Sequence, residues 1–200
     1  TYYFNCNFYS IKNPKKQFTI KEADSIKNII IIGTSRSGKT TLANKILKKF
    51  HYTLIDADAI RDVIMELNEE LNSVNNFEKQ VKDIEAVTKL SQIIVELLFL
   101  SMQKDVKKDN IGIIVDDTSM DIKKCNEIYG SPENIIYCLG TSKISPKELE
   151  RKIREYDTKD DWSNYIPKAF LPIMCENIIK ESKKNEIKCK KYKNIKYIDT

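Results

Sequence analysis

Short apolar runs alternate with longer segments of mixed polarity from residue 28 to the end of the printed sequence. The runs are rich in isoleucine and valine, which is typical of buried strands, and the longer segments repeat apolar residues at helical spacing. This alternation indicates an α/β fold with a parallel sheet covered on both faces, in which ligands bind at the carboxyl ends of the strands. The predicted strands are residues 29–32, 52–55, 111–115, 134–139 and 195–198.

Helices are predicted between these strands. The clearest start is at Ser145, because Ser145 can be the N-cap, Pro146 suits the first turn and Glu148 can complete a capping box. Residues 77–107 are predicted to form one or two long helices. The other predicted helices are residues 41–49, 57–68, 121–129 and 166–183, and the capped helix covers residues 145–156.

The first 27 residues do not follow this alternation. An aromatic cluster opens them and the basic stretch 12–16 follows, so we predict an N-terminal extension over residues 1–27 and one α/β domain over residues 28–200. The extension could be an added strand or an arm packed on the domain, and an aromatic platform for stacking bases is the alternative. The aromatic residues are Tyr2, Tyr3, Phe4, Phe8 and Tyr9.

The composition fits one globular domain, with 41% hydrophobic and 32% charged residues in 200. The apolar runs are too short to span a membrane, and the sequence opens without a basic-then-apolar signal pattern. The five cysteines are far apart and form no C-x-x-C, which argues against a zinc site or a disulfide framework. We therefore expect a cytoplasmic protein.

The net charge of +5 comes from lysines that are largely mixed with acids. The denser basic stretches, residues 12–16 and 180–196, are interpreted mainly as solvated surface, with contact to a polyanion as the alternative. Only four of the 34 basic residues are arginine, whose rigid fork suits phosphate better than a lysine ammonium does. They are Arg36, Arg61, Arg151 and Arg154.

Residues 33–40, with the sequence GTSRSGKT, carry the most specific chemical signal. They fit G-x-x-x-x-G-K-[ST], in which glycines let backbone N–H groups surround a phosphate at the start of a helix. In such a loop Lys39 can reach the β- and γ-phosphates, and the Thr40 hydroxyl can bind Mg²⁺. The predicted nucleotide-binding residues are Gly33, Thr34, Ser35, Arg36, Ser37, Gly38, Lys39, Thr40 and Thr41.

Two aspartates close the predicted strand 111–115. An acid at the end of a buried strand is the expected partner of a phosphate loop, where it holds Mg²⁺ directly or through water. We therefore predict that Asp116 or Asp117 serves the metal together with Thr40. The alternative is that Asp117 forms an N-cap or a turn with Thr118.

A second acidic cluster, Asp56-Ala57-Asp58-Ala59-Ile60-Arg61, follows the predicted strand 52–55. Transfer of a phosphoryl group to a hydroxyl requires a carboxylate to take the proton and a cation to hold the acceptor. Asp56, Asp58 and Arg61 are the candidates for these tasks, with either aspartate as the base. The alternative is that Asp58 caps the following helix and Arg61 pairs with a surface acid.

The helix predicted at 145–156 carries Lys147, Arg151 and Arg154 on one face. Such a face could close over a triphosphate and neutralise charge in the transition state, with the loop from Asp157 to Trp162 completing a lid over residues 141–165. Because glutamates alternate with these cations, a simple solvated face is the alternative.

Taken in order, these motifs resemble the P-loop kinases of small molecules, the group that includes adenylate, shikimate, gluconate and polynucleotide 5′-kinases. The resemblance covers about residues 28–199 and rests on GTSRSGKTTL (33–42), DADAIR (56–61), IIVDDTS (113–119) and ELERKIR (148–154). It implies a three-layer P-loop NTPase fold, with a five-stranded parallel sheet, helices on both faces and a short lid helix. It also implies ATP and Mg²⁺ as cofactors, with Lys39, Asp58, Arg61, Arg151 and Arg154 as catalytic residues.

The function implied is transfer of the γ-phosphate of ATP to a small hydroxyl compound, a nucleoside or a nucleotide, by a monomer or homodimer without a membrane partner. A polynucleotide 5′-hydroxyl kinase and a non-enzymatic nucleotide-dependent switch are the alternatives. In these kinases the loop after the last strand usually helps to hold the adenine. The printed sequence ends at Asp199-Thr200, so the resemblance carries no base-binding residue over to this chain.

Overall fold

Strand β1 (Asn28–Gly33) is the middle strand of a five-stranded sheet, because its sequence NIIIIG is apolar on both faces and all six residues are buried. The computed structural model describes residues 27–67, 77–109, 111–158, 162–164 and 166–200. The predicted N-terminal extension therefore lies outside the described residues, apart from Lys27.

The other strands are β2 (Tyr52–Asp56), β3 (Gly112–Asp117), β4 (Asn134–Gly140) and β5 (Ile195–Asp199). Every pairing in the sheet is parallel, and the strand order is β2-β3-β1-β4-β5. The predicted α/β fold with a five-stranded parallel sheet is confirmed.

Helices cover both faces of this sheet. They are α1 (Lys39–Leu47), α2 (Ala57–Leu67), α3 (Phe77–Asp109), α4 (Ile122–Tyr129), α5 (Pro146–Tyr156) and α6 (Leu171–Cys189), with a 3₁₀ turn at Trp162–Asn164. On one face, Phe99 of α3 and Tyr129 of α4 meet edge to face, with ring centroids 4.9 Å apart. On the other face, Ala43 of α1 packs on Ile29 and Ile31. The fold has the three layers predicted.

Several predicted boundaries are wrong by a few residues. Helix α1 begins at Lys39 rather than at residue 41, because Gly38 already caps it and its carbonyl accepts the Leu42 N–H at 2.9 Å. Residues 77–109 form a single helix of 33 residues, which is one of the two arrangements predicted for residues 77–107. The N-cap at Ser145 is confirmed, since its hydroxyl accepts the Glu148 N–H at 3.2 Å.

Helix α6 differs most from its prediction of residues 166–183. It begins later because the chain first turns at Pro167, whose carbonyl accepts the Phe170 N–H at 2.9 Å. It continues to Cys189 because Ser182 and Cys189, seven residues apart, extend its buried face along the sheet. Because the sequence after residue 182 is rich in lysine, this buried face is not apparent from the sequence. Within the described part of the chain, no helix is both long and apolar enough to cross a membrane.

Candidate nucleotide and phosphoryl-transfer site

The predicted site residues gather at one edge of the sheet. All five strands are parallel, so their carboxyl ends lie together, and β1, β2 and β3 end at Gly33, Asp56 and Asp117. The phosphate loop therefore lies beside both acidic clusters. This is the position at which open α/β sheets bind their ligands.

The backbone of the phosphate loop depends on its two glycines. Gly33 has φ 136°, and a Cβ built there would lie 1.9 Å from the carbonyl oxygen of Leu139 on β4. Gly38 has φ 80° and caps α1, but a Cβ there would meet no heavy atom within 4 Å. The loop is thus tied to β4 at its start, where the Thr34 N–H donates to the Leu139 carbonyl at 3.2 Å.

These two glycines give a matched pair of substitutions. Gly33→Ala is expected to lower the free energy of unfolding by about 3 kcal/mol, since it combines backbone strain with a collision against β4. Gly38→Ala has only the strain at positive φ and is expected to cost about 1 kcal/mol. Urea denaturation of both variants measures the difference. Equal losses would contradict the close approach of Gly33 to Leu139.

Lys39 is buried within the loop, with 5% of its surface exposed. Its ammonium donates to the Thr34 carbonyl at 2.8 Å, and the Ser37 hydroxyl donates to the same oxygen at 2.7 Å. Burial lowers the pKa of Lys39, and the carboxylates of Asp116, Asp58 and Asp117 oppose that shift. The loop thus holds a cation in a poorly solvated place, where an incoming phosphate would be strongly attracted.

Asp116 faces the phosphate loop. Alternate residues of a strand point to opposite faces, and Asp116 shares the α1 face of the sheet with Ile114. Its Oδ2 accepts the Thr40 hydroxyl at 2.9 Å. Burial raises the pKa of Asp116 to about 6, against the lowering effects of Lys39 and the Thr40 hydrogen bond. A cation beside this carboxylate would therefore offset its desolvation.

Asp117 points to the opposite face and is fully buried. Its Oδ1 accepts the backbone N–H and the hydroxyl of Ser119, at 2.7 and 2.8 Å. This is the turn that the sequence left open as an alternative for Asp117. Burial also raises the pKa of Asp117. Of the two aspartates, only Asp116 is in contact with Thr40.

The oxygens of Thr40 and Asp116 suit Mg²⁺, which prefers hard oxygen ligands and usually keeps several waters or phosphate oxygens. Among the side chains that the structure describes, no group of three or more His, Cys, Asp or Glu residues is arranged to hold a metal ion by itself. Phosphate oxygens and water would therefore complete the coordination of an ion at Thr40 and Asp116.

Asp56, and not Asp58, caps α2. Its Oδ1 accepts the N–H groups of Asp58 and Ala59, both at 3.0 Å. The interpretation of Asp58 as the helix cap is therefore wrong, because the helix begins directly after β2 and places the cap at the last residue of the strand. The Asp58 carboxylate is therefore available to contact other side chains.

These contacts join Asp58 to Arg61 and to the segment after β3. Its Oδ1 lies 2.5 Å from Nη2 of Arg61, and its Oδ2 accepts the Thr118 hydroxyl at 2.7 Å. Nη1 of Arg61 in turn donates to the Ser119 hydroxyl at 3.1 Å. Thr118 and Ser119 belong to the motif IIVDDTS, but the sequence predicted no such contacts for either residue. They connect Asp58 and Arg61 to the end of β3, and the acid with which Arg61 pairs is Asp58 of the same helix.

Arg36 contacts the end of α5. Its Nη1 lies 2.9 Å from Oδ1 of Asp157, its Nη2 donates to the Ser163 hydroxyl at 3.0 Å, and that hydroxyl also donates to Asp157. The Arg36 and Asp157 side chains are 19% and 9% exposed. Arg36 was predicted as a nucleotide-binding residue, and the structure adds a tie between the phosphate loop and the predicted lid. Its φ of 61° is the only positive value among the described non-glycine residues and costs about 1–2 kcal/mol.

A double-mutant cycle tests this tie. Arg36→Gln, Asp157→Asn and the double variant are expected to give a coupling free energy of unfolding of about 1–3 kcal/mol, because the pair is largely shielded from water. The exposed pair Arg151–Glu155, 65% and 45% exposed, is the matched control and is expected to couple by less than about 0.5 kcal/mol. Urea denaturation measures both cycles. A coupling at Arg36 no larger than the control value would contradict the tie.

The predicted lid arginines contact glutamates of their own helix. Arg151 lies 2.5 Å from Glu155, and Arg154 lies 2.7 Å from Glu150, in both cases one turn away on α5. These contacts fit the alternative of a solvated face. A lid role for Arg151 and Arg154 stays a prediction, and the side chain of Trp162 lies outside the described residues.

A buried hydroxyl cluster behind the loop was not predicted. The Thr34 and Ser182 hydroxyls lie 2.9 Å apart, and the Ser182 hydroxyl accepts the Thr141 N–H at 3.0 Å. Ser182 follows a glutamate within a lysine-rich helical stretch, so no local pattern marks it. Ser182 therefore connects α6 to Thr34 in the phosphate loop and to Thr141, the residue after β4.

The basic stretch 180–196 is partly neutralised. Within α6 an ion pair joins Lys184 to Glu181 at 2.8 Å, and a second pair joins Lys188 of α6 to Asp121, the N-cap of α4, at 3.1 Å. These contacts support the interpretation of the stretch as solvated surface.

Residues 29–157 match the protein family described as AAA domain. The matched segment begins in β1 and ends at Asp157, so it includes the phosphate loop, both acidic clusters and α5. The chain belongs to the AAA-domain family. This AAA-domain protein is also similar to the shikimate kinase of Caldicellulosiruptor saccharolyticus, with 25% identity over 130 residues that cover 60% of this chain and 69% of that enzyme. The resemblance to P-loop kinases is thereby confirmed, and the protein is classed as a P-loop phosphotransferase with an unspecified acceptor.

Among solved structures, the AAA-domain protein is similar to TT1252 from Thermus thermophilus, with a TM-score of 0.50 and 16% identity. The likeness covers 87% of this chain and 90% of that one. At this identity it shows a shared fold, which agrees with the strand order and the three layers described above.

Proposed function

We propose that the AAA-domain protein is an ATP- and Mg²⁺-dependent kinase that transfers the γ-phosphate to a hydroxyl group of a small compound, a nucleoside or a nucleotide. The observation that carries the proposal is that the Asp58–Arg61 pair and the buried Lys39 lie at the same edge of the sheet. The Asp58 carboxylate raises the pKa of Lys39 against the effect of burial, so the two groups act on each other electrostatically. A phosphate-binding cation and a candidate base therefore share one edge of the sheet.

On the acceptor side, Asp58 is the candidate base. Its contacts to Arg61 and Thr118 fix the plane of the carboxylate, which favours a defined direction for proton uptake. As the acceptor oxygen attacks the γ-phosphorus and ADP leaves, the hydroxyl proton would move to Asp58. Arg61 would hold the acceptor. Asp56 supports this arrangement by capping α2, which carries both residues.

On the phosphate side, the backbone N–H groups at the start of α1 and the Lys39 ammonium would bind the phosphates. This part of the site is largely in place before any nucleotide arrives, because Lys39 is already held by Thr34. Preorganised charge of this kind stabilises a transition state without further rearrangement. Mg²⁺ bound by Thr40 and Asp116 would neutralise charge on the phosphate oxygens.

The roles we propose for the arginines differ from those that the resemblance implies. Arg36 already belongs to the phosphate loop and is held in place by Asp157. Arg151 and Arg154 would first have to exchange their glutamates on α5 for phosphate oxygens. We therefore propose that Arg36 binds the phosphates directly. Arg151 and Arg154 would contact the phosphates only after releasing their glutamates on α5.

The test is incubation of the protein with γ-labelled ATP, Mg²⁺ and a mixed library of nucleosides, nucleotides, sugars and oligonucleotides. Labelled product from a small hydroxyl compound, nucleoside or nucleotide, and none with Lys39→Met protein, is the expected result. Label on oligonucleotides alone, with binding that weakens steeply as salt rises, would replace the proposal by a polynucleotide kinase. Absence of transfer to every acceptor, with intact ATP binding, would replace it by a nucleotide-dependent switch.

A further inference from the structure

Helix α3 carries an apolar stripe on the side that faces away from the core. The inward side of the helix is closed by Val95 and Phe99, which are fully or almost fully buried against the sheet. The outer stripe consists of Leu90 (46% exposed), Ile93 (52%), Leu97 (61%) and Leu100 (51%). Contiguous exposed side chains of this size are uncommon on a soluble surface and indicate an interaction site.

The spacing of the stripe specifies the shape of its partner. Successive members are separated by three, four and three residues, which is the seam spacing of two helices that pack side by side. Ala86, also exposed, continues the seam one step toward the start of α3. A seam of this kind fits another helix rather than a flat surface or a small ligand.

Charges beside the stripe identify the second helix. On one flank lie Glu96 and the ion pair of Lys89 with Glu85, in which Nζ and Oε1 are 2.8 Å apart, and on the other flank lie Ile94 and Ser101. If two copies of α3 packed in parallel, each charged flank would meet the other copy's neutral flank. In an antiparallel pair the charged flanks meet, and Lys89 of each copy can lie opposite Glu96 of the other.

We propose that the stripe is the contact surface of a homodimer in which α3 packs antiparallel against α3 of a second copy about a two-fold axis. Leu90 lies against Ile93 of the second copy, and Leu97 covers the other copy's small Ala86. The same patch serves both partners, as a two-fold contact requires. The stripe is short, so the dimer is weak and depends on protein concentration. The proposal does not rest on the phosphotransferase activity.

Sedimentation equilibrium of the full chain over about 5 to 500 µM tests the proposal, and a monomer–dimer equilibrium is expected. Leu97→Glu is expected to weaken the dimer by about 100-fold or more, because it buries a charge in the seam. Ile187→Glu is the matched control, since Ile187 is an isolated exposed isoleucine on α6 (63% exposed), and it should leave the dimer unchanged. Circular dichroism of each variant confirms folding.

A charge exchange tests the direction of packing. Lys89→Glu and Glu96→Lys are each expected to weaken the dimer by about threefold to tenfold, since each places like charges opposite one another at two symmetric positions. The double exchange should return the dissociation constant to within about twofold of the original. A chain that stays monomeric throughout, or a dimer that Leu97→Glu leaves unchanged, would overturn the proposal. Additive losses in the double exchange would overturn the antiparallel pairing.

Discussion

Asp58→Asn is expected to lower kcat by about 10²–10⁴ while ATP binding is retained, because the amide cannot accept the acceptor's proton. The substitution keeps the size of the side chain, and its amide oxygen can still accept the Thr118 hydroxyl. The Asp58–Arg61 ion pair would be lost, so part of the effect can appear as a higher KM for the acceptor. Steady-state kinetics with ATP and acceptor varied separately distinguish the two contributions.

The matched control is Glu66→Gln. Glu66 lies on the same helix as Asp58, is exposed, and loses the same negative charge on substitution. It should leave kcat within about twofold of the original value. If Asp58→Asn turned over as fast as Glu66→Gln, Asp58 would not be the base, and Asp56 would take its place as the candidate despite its task as the cap of α2.

Lys39→Met is expected to lower kcat/KM for ATP by at least about 10³, because it removes a buried cation from the position where we propose that the β- and γ-phosphates bind. Methionine keeps much of the length and the apolar stem of lysine, so packing within the loop is largely conserved. ATP titration by calorimetry and initial-rate kinetics measure the loss. Binding and turnover should both fall, since Lys39 would contact the phosphates in the ground state and in the transition state.

Lys45→Met is the control for this prediction. Lys45 lies on the same helix α1 and is exposed, and its replacement removes one positive charge without touching the loop. Because exposed charges act weakly at a distance in salt, its kinetics should remain close to the original. Intact ATP affinity and activity in Lys39→Met protein would overturn the site assignment.

Much of the fold could be predicted because its signals are local. Four isoleucines between polar residues predict a buried central strand, and the glycines of residues 33–40 predict a turn from that strand into a helix. The strand order and the full length of α6 could not be predicted in this way. They depend on which faces find apolar partners in three dimensions, as the buried Ser182 and Cys189 illustrate.

The candidate site could likewise be predicted only in part. The motifs placed Lys39, Thr40 and the two acidic pairs at one edge of the sheet, but each pair left two aspartates as equals. The geometry separates them. Asp116 contacts Thr40 while Asp117 is held by Ser119, and Asp56 caps α2 while Asp58 contacts Arg61. The sequence cannot make this distinction, because it depends on the face to which each strand end points and on where the next helix begins.

By itself, the sequence determined that this chain carries a phosphate loop between a buried strand and a helix, inside a parallel α/β domain. The residue pattern of the phosphate loop and the hydrophobicity of the strand involve residues close together in sequence, so both can be recognised without a structure. Only the tertiary structure decided that Arg36 meets Asp157, 121 residues later in the chain, and that Arg151 and Arg154 contact glutamates of their own helix. Such pairs form between segments that folding brings together, and neither segment's local pattern specifies its partner.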